Sequence, residues 1–200
     1  MIPSMTNAAA HLALDALGQH WTGRGVAVEC GCWLGASSAA LLRGLVAADY
    51  DRPFYAFDRW EANDSEVRKA GAVGVRLAVG EDLMGHWLAN VAPVYGKLQP
   101  CRCDLAGLTW KHGPVEVLVM DAAKREPTFS HVMGEFVPHL VDGAWVVLLD
   151  YDYWLRFDGP QADALRCQER WMEGRGRDFR MVTPIGVCGM VFRYRQEGVK

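Results

Sequence analysis

The sequence predicts a doubly wound α/β domain on a mostly parallel, seven-stranded sheet, with an antiparallel strand pair at its C-terminal end. Three observations point there. The early strands are solid apolar runs, Val26-Ala27-Val28 and Phe54-Tyr55-Ala56-Phe57, the pattern of strands covered on both faces. Strand and helix patterns alternate along the chain, as parallel strands joined by helical crossovers require. The last two strands flank Pro184-Ile185-Gly186, a short turn between antiparallel neighbours.

Each element has its own signal. Residues 8–17 are rich in Ala and Leu, and Thr6 or Asn7 can cap them as a helix. Gly23 and Gly25 break it, and a strand over 26–28 runs into Glu29. A helix over 37–45 follows, starting from 35–38, and the strand over 54–57 ends at Asp58. The stretch 61–91 reads as two helical pieces around Gly71, Gly74 and Gly80. A strand over 98–103 leads to Asp104, and one over 115–120 to Asp121. Then come a helix over 128–140, a strand over 144–149 ending at Asp150, and a helix over 161–173. Strands over 179–183 and 187–194 close the chain.

Composition bounds the function. Two hundred residues fit a single domain, 1–200, without repeats or linkers. The chain carries 21 basic and 24 acidic residues, a net charge of −3. No strong field for nucleic acid or an anionic membrane is built in. No apolar run approaches the ~20 residues of a membrane helix. The first residues lack the basic start of an export signal. Six cysteines then fit a reducing compartment, so a cytoplasmic location is expected.

The chemistry should gather at one rim. Five predicted strands finish in a carboxylate: Glu29, Asp58, Asp104, Asp121 and Asp150. An ionised carboxylate is costly inside a sheet, so these side chains are expected at the strand ends. There an open α/β sheet binds its ligands. Each could alternatively cap the following helix. After the first strand comes Glu29-Cys30-Gly31-Cys32-Trp33-Leu34-Gly35-Ala36-Ser37-Ser38. Gly31 permits a sharp turn, and Gly35 with Ala36 permits close approach to the helix start. The N–H groups of Ser37 and Ser38 would attract a carboxylate or phosphate. The spacing is not the three-glycine dinucleotide fingerprint. Asp58 can accept both hydroxyls of a ribose. Arg59 and Trp60 could clamp an adenine, although simple packing is the plainer account of Trp60.

These residues carry a resemblance. The chain resembles class I S-adenosylmethionine-dependent methyltransferases of Rossmann-like fold, and among them the small sugar and macrolide O-methyltransferases. Four blocks carry it, beginning with Val28 to Ser38 around the glycine loop. The others are Phe54-Tyr55-Ala56-Phe57-Asp58, Val117-Leu118-Val119-Met120-Asp121, and Val141 through Asp150 to Tyr151. The resemblance implies that Glu29, Gly31 and Gly35 shape the pocket for the methionine part of S-adenosylmethionine, with Ser37 and Ser38 at its carboxylate. It implies Asp58 at the ribose, Asp104 and Leu105 beside the adenine, and Asp121 near the amino group and the transferable methyl. A small-molecule acceptor follows, with a hydroxyl oxygen as the methylated atom.

The chain also departs from that group. Relatives often show Asp-x-Asp-His after the fourth strand and paired aspartates after the fifth, which can hold magnesium. Here the segments are Asp121-Ala122-Ala123-Lys124 and Asp150-Tyr151-Asp152. Magnesium prefers several oxygen ligands. Asp121 and Asp150 remain, but Lys124 can fill the cationic role, so magnesium is not the favoured reading. Lys124, if a dry cleft lowers its pKa, or Asp150 is the candidate base for a hydroxyl acceptor.

Other signals carry less. Cys30-x-Cys32 and Cys101-x-Cys103 follow strands not expected to be neighbours, so small buried thiols explain them better than zinc. The eight tryptophans suit a core, an aromatic acceptor pocket or a homodimer face. Residues 61–91 and 151–160 flank the predicted cleft, where Tyr151, Tyr153, Trp154 and Phe157 would suit an organic acceptor. Two rival functions stand beside methyl transfer: a methyltransferase-like binding module without turnover, and a nicotinamide-dependent oxidoreductase, which lacks its glycine fingerprint here.

Overall fold

The computed structural model describes residues 2–196. Helix α1 (Ala8–Gly18) leads to β1 (Val26–Cys30), α2 (Ala36–Ala47), β2 (Phe54–Asp58), α3 (Asp64–Ala72), α4 (Met84–Val91) and β3 (Leu98–Arg102). The second half runs β4 (Val115–Met120), α5 (Thr128–Phe136), β5 (Leu140–Leu148), α6 (Gly159–Leu165), α7 (Cys167–Glu173), β6 (Phe179–Ile185) and β7 (Gly189–Tyr194). The strands lie in the order β3-β2-β1-β4-β5-β7-β6. The first five are parallel, and β7 runs antiparallel to both β5 and β6.

Sheet position follows from side chains. Every residue of β1 and β4 is buried, as the two central strands of a covered sheet must be. Along them the faces alternate. Ala27 and Val117 pack with Leu14, Leu41 and Trp87 of α1, α2 and α4. Val28 and Leu118 pack with Phe129, Phe136 and Met172 of α5 and α7. The outermost strands each contain a proline, Pro100 in β3 and Pro184 in β6. Proline donates no ladder hydrogen bond and is tolerated at a sheet border.

At the amino end of the sheet, Glu116 is only 2% exposed. Its carboxylate accepts from the N–H groups of Thr22 (2.6 Å), Arg24 (2.7 Å) and Gly25 (3.0 Å) and from the Thr22 hydroxyl (2.7 Å). Four donors satisfy the buried charge and fasten the entry to β1.

The structure corrects three boundaries. The helix expected over 128–140 stops at Phe136 and gives way to a 3-10 turn over Val137–His139. Pro138 lacks the N–H an α-helix needs and crowds the preceding turn. Strand β5 consequently begins at Leu140, four residues early, and its register with β4 slips near Gly143, where φ is +73°. The helix expected over 161–173 is two helices separated at Arg166.

Candidate active site

Strand β1 ends in a bend that only glycine can make. Gly31 has φ +86°, and a Cβ there would stand 2.6 Å from the Asp121 carbonyl oxygen. The bend therefore lies directly against the end of β4, and the Asp121 N–H donates to the Cys30 carbonyl at 2.8 Å. Trp33 follows in the left-handed region, at φ 45°. Asp58, last in β2, organises this turn. One carboxylate oxygen accepts from the N–H groups of Cys32 (2.7 Å) and Trp33 (3.1 Å), the other from Trp60 N–H (2.9 Å).

Beyond β4 the chain turns at Ala123, again at positive φ (54°). Lys124 then reaches across to the end of β5, its Nζ 2.7 Å from Asp150 Oδ1 and 4.6 Å from the centre of the Tyr153 ring. Left-handed backbone at Trp33, Trp60 and Ala123 marks stored strain of the kind found at functional sites.

These tips surround a cleft of about 820 Å³. Of the residues singled out from sequence, Gly31, Asp58, Arg59, Asp104, Leu105, Asp121, Lys124 and Asp150 line it. Asp104 also caps a short turn, accepting from Ala106 N–H at 3.0 Å. Leu105 beside it is buried. The sequence reading missed Trp33, the segment Ser4 to Asn7 and the turn around Val187, all on the cleft wall. A large aromatic two residues after the bend glycine was a usable signal for Trp33. The other two arrive only through tertiary folding.

Glu29, Gly35, Ser37 and Ser38 are not on that wall. Glu29 was expected at the rim but lies within β1, fully buried. Its carboxylate accepts from the Ser38 hydroxyl, which in turn accepts from Trp87 Nε1–H at 2.8 Å. Gly35 (φ +90°) leaves room for α4: a Cβ would stand 2.6 Å from Val91 Cγ2 and 2.9 Å from Trp87 Cδ1. Ser37 and Ser38 are likewise buried, so the start of α2 meets α4 and β1 rather than an open ligand site. These four residues support the bend from behind. Trp60 is fully buried too, packed on Trp87 with ring centres 5.2 Å apart, and cannot clamp an adenine.

Burial raises the Glu29 carboxyl from its ordinary 4.5 to about 7, offset in part by the Ser37 and Ser38 hydroxyls. Between these values the folded chain holds a proton that the unfolded chain releases. Stability therefore falls as pH rises from about 5 to 7, by up to about 3 kcal/mol, and levels off above. Glu29→Gln keeps an acceptor for Ser38 and should flatten this slope. Urea midpoints of both proteins at pH 5 and pH 8 check it; parallel pH dependences would refute the assignment.

Burial also pushes the Asp121 carboxyl well above the usual range, and the Asp150 charge adds to this while Lys124 opposes it. Burial alone would lower the Lys124 pKa, but Asp150 and Asp121 outweigh burial and raise it. Lys124 thus stays protonated, which corrects the expectation that it serves as a base.

Magnesium does not fit this donor set. An ammonium group already stands against Asp150. Among the described residues, no group of three or more His, Cys, Asp and Glu side chains is arranged to hold a metal. That covers the two Cys-x-Cys pairs as well. No described helix is long and apolar enough to cross a membrane.

A family model described as a methyltransferase domain matches residues 28–151, from β1 through the end of β5. The chain belongs to this methyltransferase family. Its fold is that of class I S-adenosylmethionine-dependent methyltransferases, as solved structures show. The O-methyltransferase NovP superposes with a TM-score of 0.61 at 16% identity, covering 94% of this chain and 78% of NovP. A protein from Corynebacterium glutamicum gives 0.66 at 13% identity, covering 100% and 86%. The O-methyltransferase from Bacillus cereus in complex with SAH gives 0.59 at 14% identity, covering 95% and 82%. No curated protein matches the sequence.

Proposed function

We propose that this methyltransferase moves the methyl group of S-adenosylmethionine to a hydroxyl of a small-molecule acceptor. One observation carries the reading: four strand-end carboxylates, Asp58, Asp104, Asp121 and Asp150, face a single cleft beside the Gly31 bend. The cofactor, when bound, supplies a methyl group on a cationic sulfur and also carries an ammonium. Anionic walls favour both.

The chain's own residues divide the work. Asp58 already accepts three backbone N–H groups. A carboxylate offers about four lone-pair sites, so one direction remains for a ribose hydroxyl. Asp104 uses one oxygen on Ala106 and keeps the other for the adenine edge. Lys124, paired with Asp150 and protonated, orients the acceptor oxygen as a hydrogen-bond donor. Asp121, on the same cleft wall as Lys124 and Asp150, takes the hydroxyl proton as the methyl group transfers. In-line displacement needs little else than alignment.

Melting separates the rivals. At ~100 times its dissociation constant, a ligand adds about 2.7 kcal/mol, a readable shift. S-adenosylmethionine and its demethylated product should both stabilise the protein, and NAD should not. A shift with NAD alone would sink the proposal. Cofactor binding without methylation of any hydroxyl acceptor in a broad panel would favour the non-catalytic binding module.

A further inference from the structure

The cleft continues outward into a chamber of about 890 Å³ that shares most of its lining with it, Arg59, Lys124 and Tyr153 included, and adds Arg125, Phe157, Gln161 and Leu165. The cleft's wall mixes acidic and basic residues, whereas the outer chamber's charges are of one sign. Among the described residues it is lined by Arg59, Lys124 and Arg125 and by no Asp or Glu. In a chain with 24 acidic and 21 basic residues, such a one-signed concavity departs from the average surface. Two of the three cations have partners: Lys124 lies 2.7 Å from Asp150, and Arg59 lies 3.8 Å from Glu66. Arg125 is exposed and has no ion pair among the described residues.

The chamber also has an aromatic wall. Tyr153 and Phe157 pack edge to face, with ring centres 5.2 Å apart. Lys124 Nζ lies 4.6 Å and the Arg156 guanidinium 5.6 Å from the centre of the Tyr153 ring. A flat ring can lie on such a wall, and a negative group beyond it would meet Arg125.

We infer that the outer chamber is an acceptor subsite for a ring-bearing acid, whose carboxylate or phosphate monoester is held by Arg125 with support from Arg59. The inference rests on the methyl-transfer reading and adds the acceptor's charge. The cofactor's cationic groups then lie toward the strand-end carboxylates, and the acceptor's anionic group lies outward, toward Arg125. Lys124 stands at their junction, within reach of a hydroxyl whose ring is anchored from the other side. Arginine suits the anchoring role because its planar fork matches both carboxylate and phosphate.

The test uses three probes on the full chain saturated with S-adenosylhomocysteine: benzoate, phenyl phosphate and neutral benzyl alcohol, titrated by calorimetry or NMR. At least one anion should bind about tenfold more tightly than benzyl alcohol, the effect of one charge-assisted hydrogen bond. The tighter of the two identifies the anionic group. Arg125→Gln should remove the preference and Arg125→Lys should restore part of it, with the cofactor-induced melting shift unchanged in both. Equal binding of all three probes, binding of none, or a preference that survives Arg125→Gln would overturn the subsite. Failure of S-adenosylhomocysteine to stabilise the protein would instead defeat the methyl-transfer reading. The probe titration repeated without cofactor would then still decide the subsite.

Discussion

Lys124→Met will reduce methyl transfer by about a hundredfold or more, the scale seen when a fixed electrostatic donor is removed from a reacting oxygen. The geometry explains why so much rests on one ammonium. Asp150 is 7% exposed, and its second oxygen has no hydrogen-bond partner. Lys124 Nζ, 2.7 Å away, is its only side-chain partner among the described residues. Methionine would leave that carboxylate buried and unpaired, with Asp121 alongside. The proton affinity of Asp121, already raised by burial and Asp150, would rise further once Lys124 no longer opposes them.

The same variant should be less stable, but modestly. Breaking a buried pair can cost about 3–5 kcal/mol. The Lys124 side chain is 33% exposed, so solvent screening reduces the cost to about 1–2 kcal/mol. The raised pKa of Lys124 gives the sign: the pair's contribution is complete below the unfolded lysine pKa of 10.5 and disappears as pH rises through the folded value. Melting at pH 7 should therefore show the loss in full. Lys124→Arg keeps the charge and should recover most of the stability but less of the rate. Wild-type turnover in Lys124→Met would remove the ammonium from the mechanism.

Asp58→Ala will abolish the melting shift produced by S-adenosylmethionine. Unlike a residue that touches only ligand, it will also lower the melting temperature of the free protein. Three N–H groups, from Cys32, Trp33 and Trp60, lose their acceptor together. Hydrogen bonds to a charged group contribute about 1.5–3 kcal/mol each when intact. Water can replace part of this at the cleft, which leaves about 2 kcal/mol lost, or roughly 4–8 °C in a chain of this size. Trp33 and Trp60 both sit at positive φ and would relax once released. Differential scanning calorimetry with and without the cofactor reads both effects at once. A normal cofactor shift in Asp58→Ala would exclude Asp58 from the site.

The legible parts of the fold were those dictated by local pattern. The apolar runs of β1 and β2 marked strands, and the carboxylates after β2, β3, β4 and β5 marked the cleft, because charge cannot remain inside a covered sheet. Glu29 broke that rule. A partly compensated carboxyl can be buried if it keeps its proton, and its partner Ser38 is itself held by Trp87 of a different helix. The early stop of α5 was readable from Pro138. The break at Arg166 was not, since Leu165-Arg166-Cys167 contains neither glycine nor proline. The role of Lys124 was half legible: its cationic character followed from the residue type, whereas its protonation depends on Asp150, brought close only when β5 pairs with β4.

The prolines of the two outermost strands bear on how copies of this chain could meet. A row of backbone groups extending past β3 or β6 is interrupted at Pro100 or Pro184, so neither border templates an added strand well. Addition of a strand from a second copy is disfavoured at both borders, which leaves the sheet at seven strands.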